Sequence, residues 1–226
     1  MNNEKKRHVI PGETIVSGAY RAEQNTVMEG NKIIATSIGL SDIHDGSVRV
    51  IPLTGGYIPR DDDLVIGKIT SHSAMSWEVN INSCYSGMLP ATDVFGRDFS
   101  SHLDDLSSKL GNGDLIAARI VNADKTRDPL LTISGRELGK IDSGELMTIS
   151  PSKVARLIGK RGSMIQMIES GTNAQITIGQ NGLIVISCDD TDGLLKAIKA
   201  VELVEDKAHV ANLTDQISEM LKIKSD

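Results

Sequence analysis

Apolar residues change their rhythm along this chain, and the change divides it into three parts. In the first sixty residues they fall in short runs broken by glycine and proline. Val9-Ile10-Pro11-Gly12-Glu13 opens the region, and residues 31–37 and 47–53 read as strands of a small β domain. Residues 64–70, 77–81, 87–90, 115–121 and 130–134 then supply five short strands. Between the third and fourth lies a polar, partly helical stretch with Leu103, Leu106 and Leu110, ending at Gly111-Asn112-Gly113-Asp114. Five such strands with an inserted helical turn predict an OB-type barrel.

Helical periodicity takes over near residue 150. A strand at 145–149 precedes Ser150-Pro151, a cap residue and a proline suited to a first helical position, and then Val154, Leu157 and Ile158. Gly159-Lys160-Arg161-Gly162 forms a G-x-x-G turn. Ser163 is placed to cap a second helix with Met164, Ile165, Met167 and Ile168 on its apolar face. Strands at 174–178 and 183–187 flank Gly179-Gln180-Asn181-Gly182, whose Asn-Gly pair signals a hairpin. A long helix carrying Leu194, Leu195, Ile198, Val201 and Val204 follows, and residues 212–221 add one more. Two glycines let the turn approach a ligand closely, and the second helix aims its N-terminus over it. Lys160 and Arg161 at the tip, with Lys153 and Arg156 before them, suit a sugar-phosphate backbone.

Charge first argues against such a ligand, because the 226-residue chain carries a net −6. Its distribution softens the objection. Residues 1–60 hold seven Lys/Arg against six Asp/Glu, residues 61–140 eight against twelve, and residues 141–226 nine against twelve. Residues 149–168 hold four cations and no acid, and local field dominates within a Debye length of about 10 Å. Arg97, Lys125 and Arg127 are further loop cations in the barrel region. Trp77, Tyr85 and His72 are the only rings placed to stack on bases there, and Trp77 reads better as core. Cys84 and Cys188 form no C-x-x-C pair and read as reduced thiols. The five histidines lack metal-ligand spacing, and no apolar stretch reaches the length of a membrane span or signal peptide. Asp61-Asp62-Asp63 and Asp104-Asp105 fit solvated turns better than a metal site. No P-loop or nucleophile set is present, so no catalytic residue, metal or cofactor is expected.

The strand, helix, G-x-x-G, helix, strand, strand, helix order over about residues 144–210 resembles the KH domain, which clamps single-stranded RNA or DNA on that loop. The pieces Val65-Ile66-Gly67-Lys68-Ile69, Gly87-Met88-Leu89-Pro90, Gly113-Asp114 and Leu131-Thr132-Ile133-Ser134-Gly135-Arg136 resemble the S-one domain, an RNA-binding OB fold. With Arg7-His8-Val9-Ile10-Pro11-Gly12-Glu13 and Gly56-Tyr57-Ile58-Pro59 before them, nearly the whole chain resembles the archaeal exosome cap subunit family, the counterpart of ribosomal RNA-processing protein four. Asp61-Asp62-Asp63 departs from the family's more usual Gly-Asp at the junction. The resemblance implies a multidomain α+β protein: an N-terminal β domain (1–60) docking on a ring, an S-one barrel (61–140) and a KH domain with a C-terminal helix (141–226). It implies a non-catalytic, cytoplasmic RNA-binding subunit, three copies of which cap a hexameric ring of ribonuclease PH-type subunits and feed it single-stranded RNA for 3′-to-5′ degradation. Gly159, Lys160, Arg161, Gly162, Lys153 and Arg156 would then clamp RNA, with Arg97, Lys125 and Arg127 facing the pore. The alternative is a transcription-elongation factor of the Nus A type, which also runs from an S-one domain into KH modules but usually has two of them.

Overall fold

The computed structural model describes residues 7–96, 99–100, 105–124, 126–208, 210 and 212–221. The chain separates into two units, residues 1–55 and 56–226. Its described residues hold seven short strands in the first unit: β1 (His8–Val9), β2 (Thr14–Ser17), β3 (Arg21–Ala22), β4 (Thr26–Glu29), β5 (Lys32–Ala35), β6 (Gly39–His44) and β7 (Ser47–Pro52). They form two sheets, ordered β1-β6-β7-β3 and β2-β5-β4. Val9, Ala35 and Val50 make a small core with Ile15 against it. The β6–β7 hairpin turns on Asp45-Gly46, both with positive φ, a two-residue connection whose twist matches its strands.

The second unit begins with the predicted barrel. Its strands are β8 (Leu64–His72), β9 (Ser76–Asn80), β10 (Ser86–Pro90), β11 (Leu115–Asn122) and β12 (Leu130–Thr132). β12 pairs in parallel with β10 and antiparallel with β11, and β11 pairs with β8, so the five strands close on themselves. Val65, Ile69, Val79, Ile81, Leu89, Ile116, Ile120 and Leu131 fill the interior. Two elements escaped the sequence. Helix α1 (Ala91–Phe95) follows β10 at once, and β13 (Gly139–Ile141) adds to β11, so half of the expected junction at 139–144 is strand. The anticipated helical stretch is a short 3-10 turn at Leu106–Ser108, with Leu106 and Leu110 buried; Leu103 lies outside the described residues.

The remainder takes the β-α-α-β-β-α order: β14 (Glu145–Thr148), α2 (Val154–Ile158), α3 (Ser163–Thr172), β15 (Gln175–Ile178), β16 (Leu183–Ser187) and α4 (Thr191–Asp206), with α5 (Leu213–Met220) behind. The sheet runs β14-β16-β15. Val154, Leu157, Met164, Ile168, Ile184, Ile186, Val201 and Val204 form the core, which Leu213 and Ile217 of α5 join. On α4 the buried stripe is Gly193, Ala197, Ala200, Val201 and Val204, while Leu195 faces solvent. Small residues let this helix lie close to its neighbours.

Asn181 ties this domain to the barrel. It is fully buried, and its amide donates to the carbonyls of Ile66 (2.7 Å) and Ile81 (2.8 Å) while its Oδ1 accepts from the Ile66 N–H at 3.3 Å. Gln180 N–H donates to the Leu64 carbonyl, and Asn82 donates to the Asn181 carbonyl. The side chain completes the backbone pairing of β8 beyond the end of β9, whose last residue Asn80 pairs with Lys68, as a peptide group would. Ile66, Leu183 and Val185 pack beside it, flanked by Leu115 and Ile141.

Candidate nucleic-acid interface

Close approach and handedness explain the two glycines of the loop. Gly159 (φ 74°, ψ −179°) ends α2, and a Cβ there would sit 2.7 Å from Met164 Cβ and 2.8 Å from Met164 N. Gly162 (φ 81°, ψ 8°) has room around it and needs glycine for its left-handed backbone alone. Between them Arg161 is also left-handed (φ 56°, ψ 31°), an uncommon conformation for a side-chain-bearing residue that pushes the guanidinium out on a tight turn. Of the two expected caps, one is displaced and one keeps its place without its side-chain bond. Ser163 is the first residue of α3, and Gly162 in the cap position offers no side chain. Ser150 does hold the N-cap position with Pro151 opening the turn, but its side chain makes no capping bond: its N–H and hydroxyl both donate to Glu205 Oε1 at 3.0 Å, which pins the start of the α2 segment to α4.

Lys160, Arg161 and Arg156 are exposed, and Lys153 is half-buried. Among the described residues no carboxylate pairs with any of the four; the ion pairs lie elsewhere, as at Arg7–Glu13, Arg49–Asp42 and Lys140–Asp114. Val154, Leu157, Met164 and Ile168 anchor the loop from below, so these cations stand on a rigid base. Arg127 is exposed in the turn between β11 and β12, while Arg97 and Lys125 lie outside the described residues.

The barrel face is different. Trp77 is fully buried; its indole N–H donates to the Leu110 carbonyl at 2.9 Å and its ring stacks on Phe95, with centroids 6.2 Å apart. It is a core residue, as expected, and offers no base a platform. Tyr85 is half-buried and His72 is exposed. A cavity of about 240 Å³ opens beside His72, lined also by Ser71, Glu78, Ser86, Met88 and Asp128 among others. The Ser71 hydroxyl donates to Glu78 at 2.8 Å, and with Ser86 it holds that carboxyl below the usual range, so the groove is anionic. Sequence reading missed it because Ser71, Glu78 and Ser86 come from three strands.

The acidic turns serve the fold. Asp61 Oδ1 accepts the Ala123 N–H (2.7 Å), and Asp63 takes the Tyr57 hydroxyl (2.7 Å), where burial first and this carboxylate second push the phenol pKa up. Asp105 caps the 3-10 turn through Ser107; Asp104 lies outside the described residues. Among the described residues no group of three His, Cys, Asp or Glu could hold a metal ion, and no helix is long and apolar enough to cross a membrane.

A closed OB-type barrel latched to a β-α-α-β-β-α domain with an exposed cationic G-x-x-G loop defines a modular nucleic-acid-binding protein. Comparison narrows this. Residues 6–54 match the exosome RNA binding protein RRP4 N-terminal domain, residues 57–141 the S1 domain of exosome complex component RRP40, and residues 144–203 the KH domain. Exosome complex component Rrp4 of Nitrosopumilus maritimus is 66% identical over 223 residues, covering 99% of both chains. The Rrp4 of Thermofilum pendens is 40% identical, over 96% of this chain and 94% of the other. A crystal structure of a protein provisionally named an exosome complex RNA-binding protein superposes with TM-score 0.70 at 39% identity, covering 74% of this chain and 96% of that one. The chain belongs to the archaeal Rrp4 family of exosome complex components, the non-catalytic RNA-binding cap subunits of that assembly.

Proposed function

We propose that the chain captures single-stranded RNA for the exosome and hands it to a phosphorolytic ring of ribonuclease PH-type subunits for 3′-to-5′ degradation. Three copies cap the ring in the cytoplasm. Labour divides along the chain: residues 1–60 dock, residues 61–140 line the approach to the pore, and residues 141–226 grip RNA. Gly159 and Gly162 let the backbone come close, Lys160 and Arg161 meet phosphates, and Lys153 and Arg156 extend the contact along α2. Arg97, Lys125 and Arg127 steer RNA on the pore side.

The observation that carries this reading is the absence, among the described residues, of any carboxylate paired with the four loop-region cations in an otherwise acidic chain. Reversing Lys160 and Arg161 together to Asp tests it. RNA affinity should fall at least tenfold, and the slope of log K against log salt should shrink by roughly 1.4, two phosphate contacts at the single-strand value. Degradation by the reconstituted complex should slow in parallel. Unchanged binding and degradation would reject the clamp. Recovery of RNA polymerase instead of ribonuclease subunits in a pull-down would favour the Nus A type alternative.

A further inference from the structure

Phosphate contacts cannot tell RNA from DNA, because both chains carry the same backbone charge. The loop glycines and cations, as assigned above, meet the backbone of either, so the sugar must be read by a group beside them. The 2′-hydroxyl, a donor and an acceptor at once, is what separates the two. A neutral amide, which also donates and accepts, matches it. Gln166 supplies one. It lies four residues past Gly162 on α3, about 6 Å along the axis at 1.5 Å per residue, yet its amide folds back toward the turn. Nε2 stands 3.7 Å and Cδ 3.9 Å from the point where a Gly162 Cβ would be. The bare α-carbon of Gly162 leaves that amide open toward whatever crosses the turn.

Gln166 is exposed, and no hydrogen bond to a described residue holds its amide. Its neighbours on the exposed side of α3 are placed differently. Ser170 turns its hydroxyl back to the Gln166 carbonyl at 2.6 Å. The Ser163 hydroxyl sits by the other glycine, 3.2 Å from where a Gly159 Cβ would be. Met164 and Ile168 are buried in the core, so the stem of Gln166 rises from a fixed helix. We propose that Gln166 is a sugar-discriminating residue of the loop. Its amide takes the 2′-hydroxyl of the nucleotide whose phosphate lies over Gly162, accepting with Oε1 or donating with Nε2. Deoxyribose leaves the amide without that partner. The inference rests on the RNA-clamp reading and deepens it: the cations grip either nucleic acid, and Gln166 adds the preference for RNA. Base recognition is left to other groups.

The test uses the full chain and oligomers of about six nucleotides built from adenine and cytosine alone, so that ribose and deoxyribose forms carry identical bases. A 2′-fluoro form keeps the ribose pucker without the hydroxyl. Affinities are read by fluorescence anisotropy. The wild-type chain should bind the ribose form about fivefold tighter than either of the others, the worth of one hydrogen bond. Gln166→Met keeps the length of the side chain and removes the amide, so the ribose advantage should vanish while affinity for the deoxyribose form stays as in wild type. Equal losses on every form would mark a structural role and overturn the inference. So would wild-type binding of the 2′-fluoro form as tight as the ribose form, or a ribose advantage that survives Gln166→Met. Reversal of Lys160 and Arg161 to Asp separates the two readings. Binding that persists removes the clamp and this inference with it; binding lost on every form, with Gln166→Met behaving as wild type, removes this inference alone.

Discussion

The G-x-x-G loop and the barrel groove lie in one compact unit, yet they present opposite chemistry. The loop carries exposed cations that have no carboxylate partner among the described residues, above an apolar base. The groove carries Glu78, hydroxyls and Asp128, and the indole that could have stacked on bases is packed inside. Stacking contributes about 1–3 kcal/mol per base, and this chain has only 3% aromatic residues to supply it. On the proposed function, the difference teaches that gripping and passing RNA call for different surfaces. A grip needs attraction, and a passage that must let the strand slide is better served by weak or opposed charge.

Separating the two surfaces should have the largest effect. Asn181→Ala would leave the Ile66 N–H and C=O and the Ile81 C=O buried without partners, at a cost of about 3 kcal/mol. Urea unfolding would measure it, with barrel and KH domain parting in two phases. RNA short enough to cover only the loop should bind within about twofold of wild type. Longer RNA should lose more, because loop and groove would no longer share a fixed frame. A cost under about 1 kcal/mol would show that the apolar contacts of Ile66, Leu183 and Val185 hold the two without this residue.

Asn181 also shows where sequence reading stopped. Asn-Gly announced a turn, and a turn is there: Gly182 N–H donates to the Gly179 carbonyl and Gly182 has φ 81°. Nothing local revealed that the Asn amide reaches residues more than ninety positions away. The loop was legible because its chemistry is contiguous, two glycines and two cations on four residues between periodic helices. Barrel strands were legible from alternation, and closure from their number. The cap assignments followed a sound local preference that held only in part: Ser150 caps by position while Glu205 claims its hydroxyl, and the left-handed Gly162 takes the cap position expected of Ser163. Glu78 and its serines were invisible because three strands had to pair before they met. Asp45-Gly46, in contrast, carried a local signal for the β6–β7 hairpin that the sequence reading passed over, along with β6 itself.

Neutralising the groove sharpens the contrast at smaller amplitude. Glu78→Gln keeps an acceptor for Ser71 and removes the charge, so RNA affinity at low salt should rise about threefold. The gain should vanish as salt shortens the Debye length to about 3 Å near 1 M. Processive degradation by the assembled complex should slow as the passage becomes sticky. Faster degradation would mean that the groove limits capture, reversing the roles assigned to the two surfaces.

The smallest effect concerns the strand that leads from the barrel to the KH domain. Lys140 of β13 donates to Asp114 Oδ2 at 2.7 Å, and Gly111 N–H donates to the same oxygen at 2.9 Å. Lys140 first and this backbone donor second hold the Asp114 carboxyl below its ordinary value. A depressed folded-state pKa means the unfolded chain binds the proton more readily. The pair therefore stabilises the fold above the unfolded value of about 3.9, and that contribution is lost as pH falls through the lower folded pKa. Both side chains are partly exposed, so its size should be under about 1 kcal/mol. Asp114→Asn should flatten the acid limb of the stability curve by that amount while leaving stability near pH 7 lowered and RNA binding unchanged. If RNA binding changed as well, β13 would be coupling barrel to loop in a way that Asn181 does not account for, and the two surfaces could no longer be treated as separable.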